Sequence, residues 1–373
     1  MINTPLSFYG SLESLRGVAA LAVAVGHCVI AIAMSGRDAA FQQIVLSLTN
    51  GRGAVCLFFV LSGFVLTLSL RRSAEVSTGG YREFVLRRLL RIIPVCVLVG
   101  ILVGVVLQFL HFRVYPSWAS AWFREYHHAP PGPKELLLQV ALLDFQVNPV
   151  TWSLEVEMVA SLLLPFLYWL NRRLPWPGKI ALLLGLMILT CVLRKVGFHT
   201  HWRCVFYWFS FYAGLLAAEH GPAIWARLER FGSWLMAAAL LTYAVASRVT
   251  LGSGSVEIFL ETAVATVLVL GLAFGTRSRL RDWLEHPALR FYGRISYSFY
   301  LVHFPVMSLV IGAMSRWLPS HWNAPIFLFA MLAVVSITAG TALSQALYVG
   351  VEKPFIRLAK HLCARWQKNA AAV

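Results

Sequence analysis

The sequence predicts an all-α, polytopic membrane bundle of about ten transmembrane helices with both termini in the cytoplasm. Composition is the first reason: 59% of residues are hydrophobic and 13% charged, with mean hydropathy +0.70, whereas a soluble domain carries about 25% charged residues. Apolar runs of spanning length are the second. They cover 12–34, 53–71, 92–110, 153–170, 179–197, 203–219, 233–249, 256–275, 294–315 and 324–350. Charge placement is the third. With the N-terminus inside, Arg71, Arg72, Arg82, Arg87, Arg88 and Arg91 face the cytoplasm against Glu75 and Glu83. Arg172, Arg173, Lys179, Arg277, Arg279, Arg281, Arg290 and Arg294 fall on the same side, as do Lys353, Arg357, Lys360, Arg365 and Lys368. The opposite loops are near neutral except for Arg194, Lys195 and Arg203, which is the positive-inside pattern. The net charge of +16 therefore needs no nucleic acid, and no basic stretch interleaved with aromatics suggests one.

The first span, SLESLRGVAALAVAVGHCVIAIAM, holds Arg16 and His27 eleven residues apart. Eleven steps of ~100° fall within ~20° of three full turns, so both point from one helix face, ~16 Å apart along the axis. Arg16 then lies near the inner surface and His27 near mid-depth, where an ionisable group is costly and marks a functional site by default. A packing hydrogen bond to a neighbouring helix is the plainer alternative. The apolar part is too long for a cleaved signal peptide, and no strong small-residue cleavage site follows.

In the next span, VCLFFVLSGFVL, Ser62 and Gly63 permit close helix approach. The third begins FVLRRLLRIIP, with Arg88 and Arg91 on one face at the inner surface. Positive-inside anchoring explains them; a phosphate clamp of planar guanidiniums explains them as well. A long outer loop, 112–150, is rich in Trp, Pro and His, including His127 and His128. Its stretch 135–145 is too short to span and reads as interfacial or re-entrant. The fourth span opens TWSLEVEM: Ser153 and Glu157 share a face, Glu155 is rotated away by ~200°, and Trp152 reads as a belt residue. His199, His201 and Cys204 fit no zinc spacing, so no metal site is expected. The six cysteines form no C-x-x-C pair and read as small hydrophobes. GSGS at 252–255 reads as a turn. In RISYSFYLVHFPV, Ser296, Tyr300 and His303 form one polar helix face flanked by Tyr297. Pro305 removes the donor to the Leu301 carbonyl and should bend the helix there. Helix–helix hydrogen bonding alone also accounts for that face.

LESLRGVAALAVAVGH with its R-x10-H, CLFFVLSGF, RRLLRIIP, TWSLEVE, GRISYSFYLVHFPV and VEKPF occur in this order along nearly the whole chain. In this the chain resembles the acyltransferase-3 family of integral membrane acyltransferases. Two positions depart from the pattern: Glu13 replaces the usual Asp, and Met158, Val159 and Ala160 follow Glu157 where polar and aromatic residues are usual. The resemblance implies ten membrane helices, an acyl-CoA donor (acetyl-CoA being the expected form) and an O-acylated acceptor, often a saccharide of a cell-surface glycan or its lipid-linked precursor. It also implies that Arg16, His27, Arg88 and Arg91 are required. No fused esterase-like domain is expected. The division is a transmembrane domain over 1–351 and a short basic cytoplasmic tail over 352–373, in the bacterial inner membrane.

The chemistry expected follows from this placement. Arg16, Arg88 and Arg91 bind the donor's phosphates at the inner face, and neutral His27 acts as base for a hydroxyl or accepts the acyl group itself. His303, Tyr300 and Glu157 orient the acceptor or stabilise the oxyanion, with Trp152, Ser153, Ser296 and Tyr297 contacting substrate. Three other readings stay open: a lipid or acyl transporter, disfavoured by the absence of an obvious inverted repeat; a non-catalytic assembly protein, which needs no inner basic clamp; and an acyltransferase acting on a small non-glycan metabolite.

Overall fold

The computed structural model describes residues 10–72, 78–109, 116–126, 132–143, 145, 147–196, 203–246, 254–319 and 321–371. These residues form helices α1 (Gly10–Ala31), α2 (Gly36–Thr49), α3 (Gly51–Arg72), α4 (Thr78–Phe109), α5 (Ala121–Glu125), α6 (Pro133–Val140), α7 (Trp152–Arg173) and α8 (Trp176–Lys195). They continue with α9 (Trp208–Leu228), α10 (Gly232–Ala246), α11 (Ser255–Phe274), α12 (Arg279–Leu284), α13 (Pro287–Trp317), α14 (Pro325–Leu347) and α15 (Lys353–Ala371). No strand occurs among the described residues; one isolated antiparallel bridge joins Ile32 and Ala119. The chain is the all-α bundle its composition predicts.

Eight helical stretches among the described residues are long and apolar enough to cross a membrane. The other two expected spans are helical as well. α9 contains Glu219, His220 and Arg227, which lower its hydropathy. α10 has 15 described residues, and the expected end of that span, 247–249, lies outside the described residues. Helices that meet lipid expose apolar side chains, because hydrocarbon is their solvent. α8 is the extreme case: only 11% of its apolar stretch is buried, and Leu184, Ile188 and Val192 are exposed.

The chain divides into two compact units. The first comprises Met1–Val23, Leu46–Val76 and Val156–Ser296. Its tightest seam is between α3 and α9. A Cβ on Gly63 would strike the Phe211 carbonyl, and one on Gly214 the Val60 carbonyl. Two glycines, one per helix, thus bring the backbones into contact, as small residues do in membranes. Phe59 stacks on Phe211 with ring centroids 5.1 Å apart. The same reciprocal device joins the start of α1 to the start of α13, where Gly17 meets the Gly293 backbone and Gly293 meets the Glu13 carbonyl. α3 and α11 are held by Arg52 Nε donating to Glu261 Oε2 at 2.8 Å. α9 and α11 are held by Ser210 and Thr262, 2.8 Å apart.

The second unit comprises Ala24–Val45, Ser77–Glu155 and Tyr297–Val373. Its core gathers Val95, Cys96, Val99 and Val103 of α4, Leu154 of α7, Leu301, Val302 and Val306 of α13, and Leu347 of α14. A π-helical turn, Tyr348–Glu352, links α14 to α15. The residues read as a tail are mostly the helix α15, which packs on α4 with Ala359 and Cys363 buried. Arg87 donates to Cys363 Sγ at 3.4 Å, and Gln367 to Glu83 at 2.9 Å. The stretch read as interfacial holds α6, which packs against α4.

Pro305 lies inside α13 and has no N–H for the carbonyl four residues back. That carbonyl, on Leu301, is taken instead by Asn148 Nδ2 at 2.9 Å. Asn148 is fixed in turn, its backbone N–H donating to Gln139 Oε1 at 3.0 Å, while Gln139 donates to Thr151 at 2.8 Å. A buried orphan carbonyl costs as much as a lost hydrogen bond, so the proline and the loop before α7 form one structural unit.

Candidate active site

α1 carries Arg16 in the first unit and His27 in the second. Arg16 is aligned by α13: its Nε donates to Ser296 Oγ at 2.8 Å and its Nη2 to the Gly293 carbonyl at 3.3 Å. Ser296, expected to touch substrate, is thus a partner of Arg16 and also donates to the Gly293 carbonyl at 2.8 Å. Also in the first unit, Ser62 Oγ donates to Glu157 Oε1 at 3.0 Å. Sequence reasoning gave Ser62 a packing role. Gly63 beside it does pack backbone to backbone, but the serine orients a carboxylate.

The second unit holds His27, Arg88, Arg91, Trp152, Ser153, Tyr297, Tyr300 and His303. His303 is buried at 3% exposure, and its Nδ1 lies 2.7 Å from the Tyr300 carbonyl. A carbonyl only accepts, so this nitrogen bears the proton, and in the neutral ring Nε2 is then an acceptor. That Nε2 lies 2.9 Å from His27 Nδ1. The proton between the two rings therefore belongs to His27 Nδ1, and His27 Nε2 keeps its lone pair. His303, expected to orient the acceptor, sets the tautomer of His27, the histidine expected to be the base.

Tyr300 and Ser153 are the next link: their hydroxyls lie 2.9 Å apart, and Ser153 donates to the Val150 carbonyl at 3.1 Å. The brace from Asn148 to Leu301 fixes the same turn of α13. Tyr297 OH donates to the Ile92 carbonyl at 2.6 Å, fastening α13 to α4 beside Arg91. Arg88 is buried at 8% exposure; Arg91 and Trp152 are half-buried. The Tyr300–Ser153 contact joins the polar face of α13 to the start of α7.

Two features escaped the sequence. Glu257 and Glu261 are buried one turn apart on α11; their spacing in SVEIFLETAV was the available signal. The other is the segment that holds α5, where Trp122 has its ring 5.3 Å from the His27 imidazole; no periodic pattern announces it. His127, His128, His199 and His201, the Cys204 side chain, and positions 252 and 253 of GSGS lie outside the described residues. Gly254 sits at φ 59°, in the left-handed region that favours glycine, as N-cap of α11.

The profile of the "Acyltransferase domain" matches residues 9–343. The chain belongs to the acyltransferase-3 family. It is 30% identical to "Acyltransferase MdmB" of Streptomyces mycarofaciens over 93% of this chain and 92% of that protein. It is 25% identical to "Nodulation protein 10" of Rhizobium leguminosarum bv. viciae over 86% of each. No solved structure matches the chain significantly. The protein is thus an integral membrane acyltransferase, with the R-x10-H and R-x-x-R residues on α1 and α4.

Proposed function

We propose that the protein is a bacterial inner-membrane O-acyltransferase that moves an acyl group, most simply acetyl, from cytoplasmic acyl-CoA to a hydroxyl of a saccharide in a cell-surface glycan or its lipid-linked precursor. The observation that carries this reading is the lone pair left on His27 Nε2 by the contact with His303. His27 removes the acceptor's hydroxyl proton, and the oxygen attacks the thioester carbonyl carbon. The carbon–sulfur bond breaks, and the proton on His27 Nε2 passes to the departing thiolate, giving the ester and free CoA. His303 steadies the charge that forms on His27 during proton transfer, as base and orienting partner do in related constellations. With the Ser153 proton held by the Val150 carbonyl, Tyr300 OH donates to Ser153 in the resting site and supplies a donor to the developing oxyanion by turning away from it.

Arg88 and Arg91 on α4 hold the donor phosphates, a task suited to planar guanidiniums. The match in family and the name of the Streptomyces relative support acyl transfer, and the guanidiniums of α4 support a phosphate-bearing donor such as CoA. Oriented vesicles test it. Labelled acetyl-CoA is supplied to the cytoplasmic face, with saccharide acceptor enclosed on the other. Labelled ester inside is the expected result. Product formed only when both substrates share the cytoplasmic face overturns the through-membrane route, and no ester in either arrangement overturns the function.

A further inference from the structure

His27 Nδ1 is committed to His303, so an acceptor must approach from the Nε2 edge. What surrounds the ring is aromatic. Trp122 lies 5.3 Å from the His27 ring at 34°, and Phe304 stands edge-on at 5.9 Å. These two rings and Tyr126 close a triangle: Trp122 to Phe304 5.8 Å, Trp122 to Tyr126 5.6 Å and Tyr126 to Phe304 5.8 Å. Trp122 and Tyr126 are four residues apart, on one side of α5 and its C-cap.

This strap is built rather than draped. Ser120 N–H donates to the Ala31 carbonyl at 2.9 Å and Ala33 N–H to the Trp118 carbonyl at 2.8 Å, which sews the segment to the end of α1. Ser120 Oγ caps α5 by accepting from Phe123 N–H at 3.2 Å. Phe123 is fully buried and anchors the turn, while Trp122 and Tyr126 stay partly exposed beside the base. Trp122 is thus held in place beside His27 without being sealed into the core.

We infer that Trp122, with Tyr126 and Phe304, is the acceptor subsite, and that its indole stacks on the apolar C–H face of a pyranose ring so that one ring hydroxyl meets His27 Nε2. A pyranose chair presents axial C–H bonds on its faces and hydroxyls around its rim. An aromatic platform beside a base selects that shape over an open-chain alcohol, by the same dispersion and quadrupole attraction that pairs aromatic rings. The assignment rests on the saccharide reading above and gives it a location.

The test uses the full-length protein in lipid nanodiscs, labelled with 5-fluorotryptophan. The resonance of residue 122 is identified by its loss in Trp122→Phe. Titration with a panel of methyl hexopyranosides is expected to shift that resonance saturably, and no shift with any of them overturns the subsite. Kinetics with acetyl-CoA complete it. Trp122→Leu is expected to raise acceptor KM about tenfold with donor KM unchanged, while Trp122→Phe stays within about threefold. Equal acceptor KM for Leu and Phe variants overturns stacking. So does a variant whose only change is faster donor hydrolysis, which would make the strap a water seal. If the resonance shifts but wild-type protein transfers no acetyl group to any pyranoside, the functional reading fails and the subsite stands. Transfer without a shift has the opposite meaning.

Discussion

Each unit joins two of its helices through a short polar contact of a different kind, and the two kinds differ in what they leave over. In the first, Arg52 meets Glu261 across α3 and α11. In the second, His27 meets His303 across α1 and α13. The ion pair brings opposite charges together and fastens two helices. The histidine contact neutralises nothing: each group passes its proton one way, from His27 to His303 and from His303 to a carbonyl, and the sequence ends on an open lone pair. Burial of a polar group therefore does not by itself identify chemistry; the proposed base is singled out by the directed series of donors.

The contrast breaks most sharply at His27. His27→Ala is expected to lower transfer at least about 1,000-fold while the variant elutes and melts as wild type does; retention of a tenth or more of wild-type turnover removes His27 from the role of base or nucleophile. His303 comes next. His303→Leu leaves His27 Nδ1–H without its acceptor and is expected to cut kcat about 100-fold with donor KM unchanged. His303→Gln restores an acceptor and should recover much of the loss. Equal rates for the Leu and Gln variants would show that His303 acts by volume alone.

The clamp is smaller in effect. The double variant Arg88→Lys/Arg91→Lys keeps both charges, so anchoring survives, and donor KM is expected to rise about tenfold because the bidentate fork is lost. Unchanged donor KM would return both arginines to simple anchoring. The ion pair should show the reverse profile. Glu261→Ala is expected to lower the melting temperature and leave the turnover of folded protein within about twofold. The penalty should fall below the ~3–5 kcal/mol of a fully buried broken pair, since the Arg52 side chain is 39% exposed. A variant that melts like wild type but turns over slowly would place Glu261 in the chemistry and erase the contrast.

The sequence displayed one kind of information better than the other. Spans, the Arg16–His27 face and the polar stripe of α13 were legible because hydropathy and helical period are local. Pairings were not. Nothing in CLFFVLSGF says that Ser62 reaches Glu157, and nothing in RISYSFYLVHFPV says that His303 faces His27 rather than substrate. Such contacts are made between segments far apart in the chain, 95 residues for Ser62 and Glu157 and 276 for the two histidines. The Trp122 strap was harder still, since α5 is five residues long and sits in an irregular loop. Glu257 and Glu261 stand at i, i+4, but spacing alone does not tell a buried carboxylate pair from an exposed one. One tertiary contact was half-legible: Pro305 announces an orphan carbonyl at Leu301, though not that Asn148 satisfies it.

That last contact has a bearing on how such proteins are mapped. Epitope or reporter insertion into loops is a common way to assign sidedness, and it assumes that a loop can be split without disturbing the spans. Between Gln139 and Thr151 the assumption fails, because Asn148 stands in for the backbone donor that α13 lacks. A tag spliced there would unlatch the helix that carries His303 and report on a damaged protein, so the experimenter's most tempting extramembrane site is in effect part of a transmembrane helix.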